Sequence, residues 1–277
     1  MENKNSNHGE KVLKVAIAGL GAIGRVLAKR LDAGDVERCK LVAVSGRDPI
    51  KTQSFIETLN CVVPNVALNR LGALADVVIE CAPAAVLPQI VQPALSAGKK
   101  VIVLSVGALL DQPELMRPVQ GEGQILIPSG ALLGLDAVTA AAEGEIKTVK
   151  MISRKPPIGF KGAPIIERKN IQLDNLEVPL LLYSGSARSA AKDFPANLNV
   201  AIALSLAGIG PDKTMIEVWA DPTVVRNTHQ IELVSDSALL NMTIENIPSE
   251  NPKTGRITAQ SVLALLRKMS APVRVGT

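Results

Sequence analysis

The apolar positions of this chain fall into two rhythms. Val15-Ala16-Ile17-Ala18 is a continuous apolar run, and it enters a turn whose Gly19, Gly21 and Gly24 are spaced G-x-G-x-x-G. Beyond the turn, Ile23, Val26, Leu27 and Leu31 recur at helical spacing. The run predicts a buried strand and the spacing an amphipathic helix, which Ala33-Gly34 ends. The same alternation continues. Residues 40–45, 75–83, 100–105 and 124–128 read as strands, and 87–97 and 115–121 as helices. Strands alternating with helices make βαβ units, hence a parallel sheet with helices on both faces.

From residue 146 the rhythm changes. Residues 147–155, 178–184, 215–220, 229–234 and 239–244 read as strands, several joined by short turns. That predicts a mixed, mostly antiparallel sheet. A helix over 199–207 covers one face. The other face has no cover within the chain, which makes it the expected dimer surface. The expected fold is α/β: a Rossmann doubly wound parallel sheet over residues 1–130 and a second α/β domain over 131–251. The last segment, 252–277, carries a helix at 258–268 that returns to the first domain.

Composition narrows the function classes. The chain has 277 residues, 47% hydrophobic but only 2% aromatic, so Ile, Leu, Val and Ala must fill the core. Too few rings remain for the stacking platforms of single-stranded nucleic acid binding. The net charge of +4 is small and spread along the chain, a leaning towards anionic small ligands rather than a nucleic-acid footprint. Cys39, Cys61 and Cys81 are far apart and lack metal-ligand spacing; they read as reduced thiols, and no metal site is expected. Residues 1–11 are polar and do not form a signal peptide. The most apolar region, 125–142, is broken by Pro128, Gly130, Gly134 and Asp136, short of the ~20 residues a membrane span requires. A cytoplasmic protein is expected.

The glycine turn carries the first candidate chemistry. Gly19 permits the tight turn, Gly21 lets backbone approach a pyrophosphate, and Gly24 lets the helix lie close to the strand. With Ala22 and Ile23 between them, these residues place the helix N-terminus against the phosphates of NAD or NADP. The second strand ends in Ser45-Gly46-Arg47-Asp48 rather than in an acid. Ser45 and Arg47 suit a 2′-phosphate, while Asp48, a few residues late, remains able to serve a ribose. Ala82 borders the cofactor crevice at the end of the third strand, as do Ser105 and Gly107 after the fourth. Small residues at Ser129-Gly130-Ala131 leave room for a nicotinamide ring.

Of the two histidines, His8 lies in the tail and is taken as inert. His229 follows a polar turn and is the one side chain outside the tail with an ordinary pKa near neutrality, so it is the candidate acid–base group. Asn197 and Asn199 precede an apolar helix; one is expected to cap it and the other to read the nicotinamide carboxamide. Ser186 and Lys192, in a stretch of small residues and cations, are candidates for a carboxylate pocket. Lys155, beside Arg154, is another cationic corner.

These residues together carry a family resemblance. Gly19-x-Gly21-x-x-Gly24, Ser129-Gly130-Ala131, Lys155-Pro156-Pro157, Phe194-Pro195-x-Asn197-x-Asn199-Val200-Ala201, Ala220-Asp221-Pro222 and Asn227-x-His229 occur in that order, followed by Asn251-Pro252-Lys253-Thr254. The chain resembles the L-aspartate dehydrogenase family along almost its whole length. The resemblance implies a homodimer and the reversible, NAD(P)-dependent oxidative deamination of L-aspartate, through iminoaspartate, to oxaloacetate and ammonia. It also implies a place in pyridine nucleotide biosynthesis, His229 as the active-site residue, and Ala131 and Asn199 as nicotinamide contacts. Two other readings remain open on the sequence alone. One is a reductase of another small dicarboxylic or semialdehyde substrate. The other is a dinucleotide-sensing protein without turnover, although no DNA-reading helix is evident.

Overall fold

A computed structural model of the chain describes residues 12–117, 121–194, 198–248 and 255–276. The expectations for residues 1–11 with His8, for Asn197 and for residues 251–254 therefore lie outside the described residues.

The first half alternates as the apolar pattern predicts. Strand β1 (Leu13–Ala18) leads through the glycine turn into helix α1 (Ala22–Asp32), followed by β2 (Cys39–Ser45), α2 (Pro49–Ile56) and α3 (Leu71–Leu74). Then come β3 (Val77–Glu80), α4 (Leu87–Ser96), β4 (Lys100–Val103) and β5 (Gln124–Leu126). The five strands form one sheet in the order β2-β1-β3-β4-β5, and every neighbouring pair is parallel. Both faces are covered, which explains the unbroken apolar runs. Val15 and Ile17 of β1 pack in the cluster that holds Leu27 of α1 and Phe55 of α2. Ala16 and Ala18 pack in the cluster that holds Leu71 of α3 and Ile90 of α4. The helix expected at 115–121 is instead a 3₁₀ turn at Pro113–Met116, and residues 118–120 lie outside the described residues.

The second half contains α5 (Leu135–Ala142), β6 (Ile146–Lys155), α6 (Pro164–Arg168), β7 (Leu180–Ser186), α7 (Ala187–Asp193), α8 (Asn199–Ala207), β8 (Met215–Ala220), β9 (Asn227–Ser235), β10 (Leu239–Asn246) and α9 (Ile257–Ser270). Its sheet has the order β10-β9-β6-β8-β7, antiparallel throughout except for the β6–β8 pair. Strand β7 starts two residues later than its apolar pattern suggests. Pro179 has no N–H to give a ladder, and Gly185 and Ser186 carry the pairing on to Ile216 and Met215. Val149, Met151, Val218, Ile231 and Leu233 on the inner face pack in one cluster with Ala201, Ile202 and Leu204 of α8. Burying a side chain such as Ile202 contributes roughly 1.5–3 kcal/mol.

The same cluster runs from one face of the first sheet to the inner face of the second, so the two sheets share packing across the cleft between them. The last helix lies against the first sheet's helices. Val262 and Leu266 of α9 are buried beside Leu27 and Leu31 of α1, and Arg267 donates to the carbonyl of Asp35. No helix among the described residues is long and apolar enough to cross a membrane.

Candidate active site

The glycine turn is built by backbone sterics. Gly19 holds a φ of +99°, and a Cβ there would meet the Cys81 carbonyl at 2.5 Å. A Cβ on Gly24 would lie 1.9 Å from the Gly19 carbonyl, so α1 can start here only on glycine. Gly21 differs: a Cβ at that position meets no protein atom within 4 Å. Its small size serves whatever approaches from outside. Gly21 is also the N-cap of α1 without a capping side chain, and the first turn carries no acid. The helix therefore presents unsatisfied N–H groups to an anion. These features fit the pyrophosphate of a dinucleotide.

At the exit of β2, Ser45 is buried and Arg47 exposed. Asp48 caps α2, its Oδ1 accepting from the N–H groups of Ile50 and Lys51 at 3.1 Å each. No carboxylate stands where NAD-selective sites place one.

Opposite the turn lies a cavity of about 200 Å³. It is smaller than the ~300–1,000 Å³ of drug-sized pockets and suits a small metabolite. Ile23, Ala82, Ala131, Asn199, Lys155 and His229 all line it. Ile23 comes from the first turn of α1 and Ala82 from the loop after β3, and the last two come from the second sheet. Register explains the wall. His229 of β9 sits opposite Ser153 of β6, and Asn227 of β9 sits opposite Asn246 of β10. Lys155, two residues beyond Ser153, shares its face. All five side chains are buried.

A buried polar wall of this kind should be saturated with hydrogen bonds, and this one is not. His229 Nδ1, Asn246 Oδ1 and Ser153 Oγ have no partner among the described residues. Asn246 uses its amide to donate to the Ala131 carbonyl at 3.0 Å. Asn199 is the first residue of α8 rather than its cap, and its Oδ1 accepts from the Gly107 N–H at 2.9 Å. No bond from the Asn199 amide N–H groups is made among the described residues. The loop carrying Ala131 is held from α9, where Ser261 Oγ accepts from the Gly130 N–H at 3.1 Å.

Electrostatics single out two of these groups. Among the described lining residues Lys155 is the one ammonium or guanidinium group, and none is a carboxylate. Burial pushes the Lys155 amine down to about 8. Burial, and then the Lys155 charge, push His229 down to about 3, so the wall holds a neutral imidazole. Behind the wall, the Asp221 N–H donates to the Lys155 carbonyl at 2.8 Å. Burial opposes ionisation of Asp221, but bonds from Thr223 and Arg154 hold its carboxyl below the ordinary range.

The structure does not bring every expected residue to this place. Ser186 caps α7, its Oγ accepting from the Ser189 N–H at 3.3 Å, and Lys192 is exposed near the end of that helix. Both belong to the β7 edge of the second sheet, and β8 stands between that edge and β6. Neither lines the cavity. Sequence reasoning missed Asn246, Ser153 and Glu80. Glu80 carried a readable signal, since a carboxylate inside an apolar strand must find donors.

Comparison with known proteins gives a consistent picture. The family model described as "Aspartate dehydrogenase, C-terminal" matches residues 136–269. The model described as "Homoserine dehydrogenase, NAD binding domain" matches residues 19–119. L-aspartate dehydrogenase 3 of Bordetella bronchiseptica is 73% identical over 96% of this chain and 98% of its own. L-aspartate dehydrogenase of Bradyrhizobium diazoefficiens is 56% identical over 96% of this chain and 94% of its own. Among solved structures, aspartate dehydrogenase from Thermotoga maritima matches 95% of this chain and 99% of its own with a TM-score of 0.70, at 24% identity.

Proposed function

The chain belongs to the L-aspartate dehydrogenase family, and from that premise we propose how its own residues carry out the reaction. L-aspartate is oxidised to iminoaspartate, which water converts to oxaloacetate and ammonia. NAD or NADP serves as cofactor, and when bound it supplies the redox step at the substrate Cα. Residues 1–130 together with the terminal segment 252–277 act as the dinucleotide-binding unit, and residues 131–251 as the catalytic and dimerisation unit.

Gly19, Gly21, Ala22, Ile23 and Gly24 hold the pyrophosphate, Ala82 borders the crevice, and Ala131 and Asn199 contact the nicotinamide. Ser45 and Arg47, with Asp48 committed to its helix, accommodate a 2′-phosphate, so NADP is accepted as well as NAD. Lys155 attracts a substrate carboxylate into a cavity with no acid of its own among the described lining residues. The carboxylate offsets the Lys155 charge and so removes the smaller of the two causes, after burial, that hold His229 down. His229 then takes a proton from the substrate side and returns one as water adds to the imine. The single observation that carries this reading is a buried His229 beside Lys155, whose Nδ1 has no partner among the described residues, in a cavity shared with Ile23 of α1.

The outer face of the second sheet supports a homodimer. It shows exposed Leu181, Met215 and Val234, and Arg154 stacked over Trp219 at 4.8 Å. Sedimentation tests that state. In this reading the enzyme works in the cytoplasm, and its iminoaspartate feeds pyridine nucleotide biosynthesis.

The test is initial rates of nicotinamide reduction with L-aspartate, run separately with NAD and NADP. D-aspartate, L-glutamate and L-homoserine run alongside. Turnover confined to L-aspartate is expected. Faster turnover of another substrate would redirect the reading to a related reductase, and cofactor binding without any turnover would indicate a sensing protein.

A further inference from the structure

We propose that Glu80 is a positioning residue of the cofactor site, tying the exits of β3 and β4 into one wall and, through that wall, fixing the Asn199 amide. Glu80 is fully buried at the end of β3. Its Oε1 accepts from the Ala82 N–H and from Ser105 Oγ, at 3.0 Å each. Its Oε2 accepts from the Leu104 N–H at 3.0 Å and the Ser105 N–H at 2.8 Å. Burial pushes this carboxyl up, and these bonds pull it back towards the ionised form. Backbone N–H groups at three points on two separate loops therefore converge on one side chain.

Ala82, Leu104 and Ser105 all line the cavity. Two residues beyond Ser105, the Gly107 N–H donates to Asn199 Oδ1. The approach is close: a Cβ on Gly107 would sit 3.3 Å from that oxygen. The path therefore runs from Glu80 through Ser105 and Gly107 to the first residue of α8, across the cleft. It decides which end of the Asn199 amide is used internally and which is left for the cofactor. A fully buried carboxylate is a costly way to join two loops if nothing depends on their spacing. The inference rests on the reading of Asn199 as a nicotinamide contact.

The test is a double-mutant cycle read by calorimetric titration of NADPH, with thermal unfolding measured on each variant. Glu80→Gln keeps the shape but replaces one acceptor oxygen by a donor, so two donors are left without their partner. Asn199→Ala and Glu80→Gln should each weaken NADPH binding by about tenfold. The double variant should bind about tenfold more weakly as well, not about a hundredfold, because both changes act on one interaction. A multiplicative effect would show that Glu80 acts independently of Asn199 and would overturn the proposal. An Asn199→Ala variant with unchanged affinity would overturn the Asn199 reading itself. If Glu80→Gln does not fold, Ser105→Ala removes the Oγ bond to Oε1. Its weakening of about threefold should then vanish in the Asn199→Ala background, and persistence there would refute the proposal.

Discussion

The two walls of the cleft are made differently. The parallel-sheet side is a backbone site, where glycines set the turn and the N-terminus of α1 carries no capping side chain and no acid. The second-sheet side is a side-chain site, where strand register brings Lys155, Asn227, His229 and Asn246 onto one buried face. A backbone site recognises what every dinucleotide shares, namely phosphates. A side-chain site can be tuned to one substrate, because each buried polar group it leaves unpaired raises the cost of the wrong ligand. The difference predicts that damage on one side changes cofactor affinity and damage on the other changes chemistry.

The largest effect should come from the turn itself. Gly24→Ala drives a Cβ into the Gly19 carbonyl and should destabilise the fold by on the order of 3 kcal/mol or more, seen as a lower unfolding midpoint in denaturant. Gly21→Val separates fold from ligand, since a Cβ at this position meets no protein atom within 4 Å. Its unfolding midpoint should fall much less than that of Gly24→Ala, by the cost of a poorer N-cap, while NADPH affinity falls about a hundredfold, because the valine keeps the phosphate away from the helix N-terminus. A variant that binds normally would show that the pyrophosphate lies elsewhere.

On the other wall, Lys155→Met should raise the KM for L-aspartate roughly tenfold or more with little change in cofactor affinity. It should also alter stability with pH. The folded pKa of about 8 lies below the ordinary 10.5, so the unfolded chain holds this proton more tightly. The cost of burying the ammonium is therefore fully present below about pH 8 and fades as pH rises towards 10.5. It amounts to on the order of 3 kcal/mol. The methionine variant should be the more stable protein at pH 7, with the gap closing at high pH. A gap independent of pH would contradict a charged, buried Lys155. The smallest effect belongs to cofactor choice: Ser45→Asp should shift the NADP-to-NAD ratio of kcat/KM several-fold towards NAD.

Sequence legibility follows the same division. The β1–turn–α1 unit and helix α8 are readable because their signals are local: a G-x-G-x-x-G between apolar runs, and an apolar helix beginning at Asn199. The second wall is readable only in part. His229 and Lys155 stand out by their chemistry, but Ser186 and Lys192 read as a carboxylate pocket only because small residues, hydroxyls and cations cluster in their stretch. The strand order puts β7 at the far edge, and order is a tertiary fact. The helix α7 that carries Lys192 mimics a pocket in sequence because its small polar residues also suit loops. Asp48 shows the same limit, because an acid after a strand reads alike whether it meets a ribose or caps the next helix. Glu80 and Asn246 belong to no local pattern, since their partners lie on other elements.

The most direct measurement is His229→Ala assayed in two ways on the same preparation, as turnover of L-aspartate and as calorimetric affinity for NADPH. A side-chain wall that does chemistry, facing a backbone wall that holds the cofactor, predicts a fall in kcat of roughly 10²–10⁴-fold. Affinity should change less than about twofold, since Nδ1 has no partner among the described residues to give up. A variant that keeps near-wild-type turnover, or whose cofactor affinity falls in step with its rate, would contradict that division of labour.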